Sequence, residues 1–299
     1  MPSLARERDS VARVARALAG LADLGELVVT YGADLQLALL VPAARAHSGS
    51  PYPLDALEAE SEGLVGYLLE QALQDALDGR DVAGVLTRVE VDPLDPHFMQ
   101  PSLPIGPAVD DQTAGVLAAT NGWLMVKDGD GRRRAVPAPE PLRVLETHSI
   151  DLLCRAGIVV VCCGGGGIPV VADRSGGYRG VDAVVEKDLS AALLAEVLGA
   201  DALLFLTDVS GVWVDWGNPG AKLVASTSPA ALRSLRFDPR SMGAKVEGAC
   251  RFAERTGRDA FIGSAEDAGR LLDGSAGTRV SSSSGGIKLV EQGTARSLA

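Results

Sequence analysis

Short β-branched runs that stop at a glycine or a turn, each followed by a helical pattern, recur along this 299-residue chain. That alternation constrains the fold more than any other feature, because it is the mark of an α/β protein with parallel strands. The runs predict strands over residues 26–30, 84–91, 158–163, 202–206 and 260–262. Apolar residues at helical spacing predict helices over 6–21, 61–77, 142–156, 189–198 and 242–256. Residues 92–141 break the rhythm with many prolines and a charged patch at 127–134, and read as a lid or small subdomain. The SSSSGG run after Val280 reads as the start of a flexible tail over 281–299.

A net charge of −11 argues against nucleic acid or an anionic membrane as the main partner, although local lysines still allow an anionic substrate. Cys154, Cys162, Cys163 and Cys250 form no C-x-x-C pair and read as reduced core residues of a cytosolic protein. The longest apolar stretch, 158–172, holds four glycines and is too short to span a membrane. No basic-then-apolar leader opens the sequence, so a cytoplasmic location is expected. His47, His97 and His148 are scattered, and no metal-ligand set is assigned.

Three stretches carry candidate chemistry. VVVCCGGGGIPVV (159–171) has glycines at Gly164, Gly165, Gly166 and Gly167 that let backbone N–H groups approach a ligand, or that simply form a tight strand turn. The strand-like run after them excludes a P-loop or a dinucleotide fingerprint. VEKDLSAALLAE (185–196) puts Lys187 beside a helix start with Asp188 as N-cap. A cation there opposes the helix dipole unless an anion shares the site; the alternative is a solvated lysine. SMGAKVEGACRF (241–252) repeats the pattern, with Ser241 as cap and Lys245 in the first turn. Two lysines at two helix starts suggest a polyphosphate clamp.

These stretches, together with YPLDALEAESEGLVGYLLEQAL (52–73) and TRVEVDPLDPHFMQPSLPIGP (87–107), closely resemble carbamate kinases of the amino acid kinase family, in order and with the expected spacing. The resemblance implies a three-layer αβα sandwich over 1–280 with a protruding lid subdomain at 92–141. It places an acceptor half in 1–155 and a nucleotide half in 156–280. It implies reversible phosphoryl transfer between ATP and carbamate, giving ADP and carbamoyl phosphate with Mg²⁺, in arginine or nitrogen catabolism, usually by a homodimer. By the same resemblance Lys187 and Lys245 neutralise the migrating phosphoryl group, Asp188 holds the lysines, and Lys127 reaches over the site. Gly164–Gly167, Thr207, Asp208, Val209, Met242 and Gly243 belong to the nucleotide side.

The acceptor side departs from the pattern. The family opens with a strand and a Gly-Gly-Asn turn, which has no counterpart near Met1. Its second loop, His-Gly-Asn-Gly-Pro-Gln, reads here Tyr31-Gly32-Ala33-Asp34-Leu35-Gln36, retaining only Gly32 and Gln36. The alternative to an active enzyme is therefore a nucleotide-binding pseudokinase serving as a regulatory or structural subunit, paired with a paralogue. A missing first strand would leave 26–30 short of a partner, and GIKLVE (286–291) is a candidate to fill the gap.

Overall fold

The run Val159–Cys162 is buried at every position, as a strand with both faces covered requires. The computed structural model describes residues 4–48, 52–238 and 241–290. Its helices are α1 (Leu4–Ala22), α2 (Asp34–Ser48), α3 (Leu54–Ala76), α4 (Asp111–Asn121), α5 (Thr147–Arg155), α6 (Lys187–Leu198), α7 (Pro229–Arg233), α8 (Met242–Thr256) and α9 (Ala268–Leu272). The first strands are β1 (Val28–Thr30), β2 (Val82–Gly84), β3 (Arg88–Val91), β4 (Leu103–Val109), β5 (Leu124–Asp128), β6 (Gly131–Val136), β7 (Pro141–Val144) and β8 (Val159–Cys162). After them come β9 (Ile168–Ala172), β10 (Tyr178–Gly180), β11 (Ala202–Thr207), β12 (Trp213–Val214), β13 (Lys222–Thr227), β14 (Asp259–Ser264), β15 (Thr278–Val280) and β16 (Lys288–Leu289).

The chain forms two compact units, which interleave along the sequence. One gathers the described residues of Glu26–Gln74 and Gly79–Ala191; the other gathers those of Met1–Gly25, Asp75–Asp78 and Ala192–Ala299. Residues 156–191, grouped by sequence with the C-terminal half, pack in the first unit because β8 pairs in parallel with both β1 and β2. Next in that unit is a sheet ordered β10-β9-β3-β7. Residues 92–141 supply a separate antiparallel sheet, β4-β6-β5, and α4. Ile105 and Val136 anchor that sheet in a core with Leu37, Leu54, Leu57 and Val184.

In the other unit β11 and β14 run parallel in register from Ala202↔Asp259 to Thr207↔Ser264. The sheet continues through β15, β13 and β12. Helix α8 packs on β11 and β14, and α1 turns Ala15, Leu18 and Ala22 inward and packs on α9.

Four local expectations need correction. The strand expected at 84–91 is two strands, interrupted at Val85–Thr87 where the chain leaves the β8 sheet for the β9 sheet. The helix expected at 142–156 begins only at Thr147, because Val144 and Arg143 pair across β7 with Val89 and Glu90. The GIKLVE segment does not extend the β1 edge: β16 pairs antiparallel with β13, and Val290 N–H donates to Leu223 O at 2.9 Å. The expected flexible tail is therefore not found over 281–290, where Ser281 N–H also bonds Thr227 O and Ser282 Oγ bonds Ala253 O. Residues 291–299 lie outside the described residues.

Candidate functional site

Two neighbouring strands change sheets at the same level, β2 to β3 through Thr87 and β8 to β9 through Cys163–Gly167. That double crossing sets the glycine turn beside Thr87. The turn is tight: Cys163, Gly165, Gly166 and Gly167 all have positive φ. Its backbone donors are committed inside the protein. Cys163 N–H donates to Thr87 Oγ1 at 3.0 Å, Gly164 N–H to Glu62 Oε1 at 3.1 Å and Gly165 N–H to Tyr31 O at 2.9 Å. Gly166 and Gly167 N–H close onto Cys163 and Gly164 carbonyls. Of the two readings open from sequence, the tight strand turn matches this geometry. The glycines serve close approach: a Cβ at Gly164 would strike the Tyr31 ring, and one at Gly166 would strike the backbone at Val185.

The stretch 31–36 is a strand-to-helix turn. Tyr31 follows β1, and Asp34 opens α2, where its charge favours the helix dipole. Tyr31 fills the space beside Gly164 and Gly66, and its hydroxyl donates to Glu62 O at 2.8 Å. Burial first, then the Glu62 charge, pushes its phenol far above the ordinary value. Gln36 is buried on α2. Gly32 lies against the side chain of Lys187, so that a Cβ added to it would stand 3.4 Å from Lys187 Cδ and Cε.

Lys187 is the first residue of α6, so Asp188 sits inside the first turn and is not the N-cap expected from sequence. Glu186 takes that place: its carbonyl accepts from Leu189 and Ser190 N–H, and its Oε1 accepts from Asp188 N–H at 3.4 Å. Three carboxylates lie within 4 Å of Lys187 Nζ, Glu186 at 3.6 Å, Asp34 at 3.8 Å and Asp188 at 3.9 Å. Burial opposes the lysine charge, but Asp188, Glu186 and Asp34 together hold its pKa above the ordinary value. Ser190 Oγ donates to Gly166 O at 2.7 Å, tying this helix start to the glycine turn.

The second group of expected residues lies in the other unit. Thr207 ends β11 and its Oγ1 donates to Asp208 Oδ1 at 3.1 Å, with Val209 following. Met242 and Gly243 open α8 after Ser241, which stands at the N-cap position without a side-chain cap bond. Gly243 N–H donates to Asp238 O at 2.9 Å, and a Cβ there would sit 2.7 Å from that oxygen. Lys245 is in the first turn of α8, as read from sequence.

Lys127 is exposed on β5 of the subdomain sheet. That sheet is tied down by Arg134, which is 8% exposed, lies 4.4 Å over the Trp123 ring and pairs with Asp182. Asp182 also accepts from Leu54 N–H at the start of α3. Removing it in Asp182→Ala is expected to lower stability by about 2 kcal/mol, the scale of a hydrogen bond to a charged group. Urea unfolding checks this, and an unchanged midpoint would rule the latch out.

Sequence reading does not single out Glu58 and Glu62. They are 2% and 1% exposed, one turn apart on α3. Glu62 Oε1 accepts from both Thr87 and Gly164 N–H, while Glu62 Oε2 and Glu58 Oε1 have no hydrogen-bond partner. Burial pushes both acids up to about 8, with Asp34 and Glu62 adding to the effect at Glu58. The signal that could find them is their place among Leu54, Leu57, Ser61 and Val65, on the buried side of α3.

Similarity to known proteins identifies the family. The amino acid kinase family model matches residues 3–264. The carbamate kinase of Haemophilus influenzae is 43% identical over 264 residues, covering 88% of this chain and 85% of that protein. The carbamate kinase of Rhizobium meliloti is 42% identical over 282 residues, covering 93% and 87%. A solved structure of carbamate kinase from Giardia lamblia bound to AMP-PNP has a TM-score of 0.86 at 30% identity, covering 94% and 93%. Nothing in these relatives favours a non-catalytic reading. The motifs, the mixed α/β fold and the match over nearly the whole chain agree: this chain belongs to the amino acid kinase family.

Proposed function

We propose that the chain is a carbamate kinase, transferring a phosphoryl group reversibly between carbamoyl phosphate and ADP. The observation that carries this reading is Lys187, held at a helix start against Gly32 and tied through Ser190 to the glycine turn, in a chain 43% identical to a carbamate kinase. In the ATP-forming direction, a β-phosphate oxygen of ADP attacks phosphorus, and the bond from phosphorus to the carbamate oxygen breaks. Carbamate leaves as an anion and attacks as one in reverse, so no strong general base is needed. The chain must align the partners and neutralise charge on the migrating group.

Lys187 would do this from α6 and Lys245 from α8, with Asp188 orienting Lys187. Lys127 would approach from the subdomain. Thr207, Asp208, Val209, Met242 and Gly243 would line the nucleotide side. Among the described residues no group of three or more His, Cys, Asp or Glu could hold a metal ion. Mg²⁺ would arrive on the nucleotide phosphates and neutralise their charge there. The family resemblance implies a cytoplasmic homodimer acting on small molecules; among the described residues no helix is long and apolar enough to cross a membrane.

The test is ATP formation from ADP and carbamoyl phosphate with Mg²⁺. Turnover is expected in the intact chain, and Lys245→Ala should lower it about a hundredfold, the scale for losing one transition-state charge contact. Absence of ATP formation in protein shown to bind ADP would refute the assignment.

A further inference from the structure

Of the three carboxylates around Lys187, two belong to its own helix start. Glu186 and Asp188 side chains are 28% and 9% exposed, and both are fixed by the local chain path. Asp34 differs. It comes from the start of α2, its side chain is 75% exposed, and it reaches Lys187 Nζ at 3.8 Å. It stands where the related loop has a glycine with no side chain to present.

We propose that Asp34 is an internal anion that occupies Lys187 in the free protein and must swing aside when a phosphoryl ligand binds. It thereby sets how strongly this end of the site holds anions. The charges around Lys187 favour this. One lysine faces Asp34, Glu186 and Asp188, a local sum of −2, so an arriving phosphate meets repulsion until one carboxylate withdraws. Asp34 is the one able to move, since solvent already reaches it and its side chain belongs to neither the α6 start nor the core. The Gly32 turn lies alongside both groups, with a Cβ built on it 3.4 Å from Lys187 Cδ and Cε and 3.7 Å from Asp34 Oδ2. The inference deepens the phosphotransferase reading and rests on it for the identity of the anion.

The experiment titrates inorganic phosphate and pyrophosphate into the intact chain and into Asp34→Asn and Asp34→Glu, by calorimetry at about 25 and about 300 mM KCl, salt levels chosen to bracket the screening length. Losing a charge about 4 Å from the bound anion in an exposed setting is worth about tenfold in affinity. Asp34→Asn should bind about tenfold tighter at low salt, with the gap narrowing at high salt as screening grows. Asp34→Glu should bind like the parent chain. Equal affinity in all three, a gain in Asp34→Glu as large as in Asp34→Asn, or no binding by any of them would overturn the proposal. ATP formation is assayed separately. Tighter phosphate binding without any turnover would remove the carbamate reading and leave Asp34 as the gate; turnover with unchanged phosphate affinity would do the reverse.

Discussion

Gly166→Ala is expected to lose more stability than any other single methyl added to the site, about 4 kcal/mol or more, through backbone strain and steric conflict together. Gly166 has φ +103°, a conformation open to glycine and strained for any L side chain. A Cβ there would lie 2.9 Å from Val185 C and 3.1 Å from Lys187 N, and closer still to Val185 O. All three are backbone atoms of the segment that starts α6, so relief requires moving the helix start and Lys187 with it. Gly165→Ala is the control. Its φ is +65°, and the nearest atom, 2.8 Å away, is Glu58 Oε2, the end of a side chain. That variant should lose about 1–2 kcal/mol, mostly from backbone strain. Urea unfolding of the two variants gives the comparison. Equal midpoints would show that the 185–187 segment is not a rigid wall and that the turn tolerates a methyl group.

How much of this is legible in the sequence depends on where the deciding contacts lie in the chain. Strand β11 is readable almost in full as an apolar run, whereas only the apolar centre of β14, 260–262, is readable, and its ends are set by unbroken register with β11. Helix α8 is readable to the residue, since Gly257 ends it in the left-handed conformation and Ser241 precedes it. Strand β7 reads as helix from its own residues because its partner is distant: Arg143 and Glu90 are 53 residues apart, and nothing local reports that pairing. The interruption at Thr87 is likewise invisible. Its cause is Glu62 and Cys163, which reach Thr87 from α3 and from the end of β8. The lysines stand out through helix-dipole reasoning, yet the cap of α6 lies two residues before the aspartate that sequence favours. Aspartate is the commoner capping residue, and glutamate takes the position here. The glycine turn is visible at the right residues. The role of its N–H groups is decided by acceptors 76 and 102 residues away in the chain.

The buried acids give the second large effect, and its sign follows from linkage. Glu58 and Glu62 are pushed up to about 8 in the folded chain from 4.5, burial being the first cause at both. The folded state therefore holds protons that the unfolded chain has released between pH 4.5 and 8. Their contribution is most favourable below pH 4.5, falls as pH rises through this window, and levels off above about 8. Glu58→Gln removes one of these proton-dependent groups while keeping the shape and an oxygen for Ser61, whose hydroxyl lies 3.5 Å from Glu58 Oε2. Near pH 5 the variant should match the parent chain, because an amide and a protonated acid are close equivalents there. By pH 9 it should be more stable by on the order of 3 kcal/mol, a discounted value for a shift of this size in a coupled pair. Glu62 still titrates in the variant, so some pH dependence remains, and Asp34→Asn should move the parent curve in the same direction but less. Unfolding free energies measured by urea at pH 5, 7 and 9 decide the matter. Parallel curves for parent and Glu58→Gln would mean that Glu58 is ionised throughout, a buried charge beside the glycine turn.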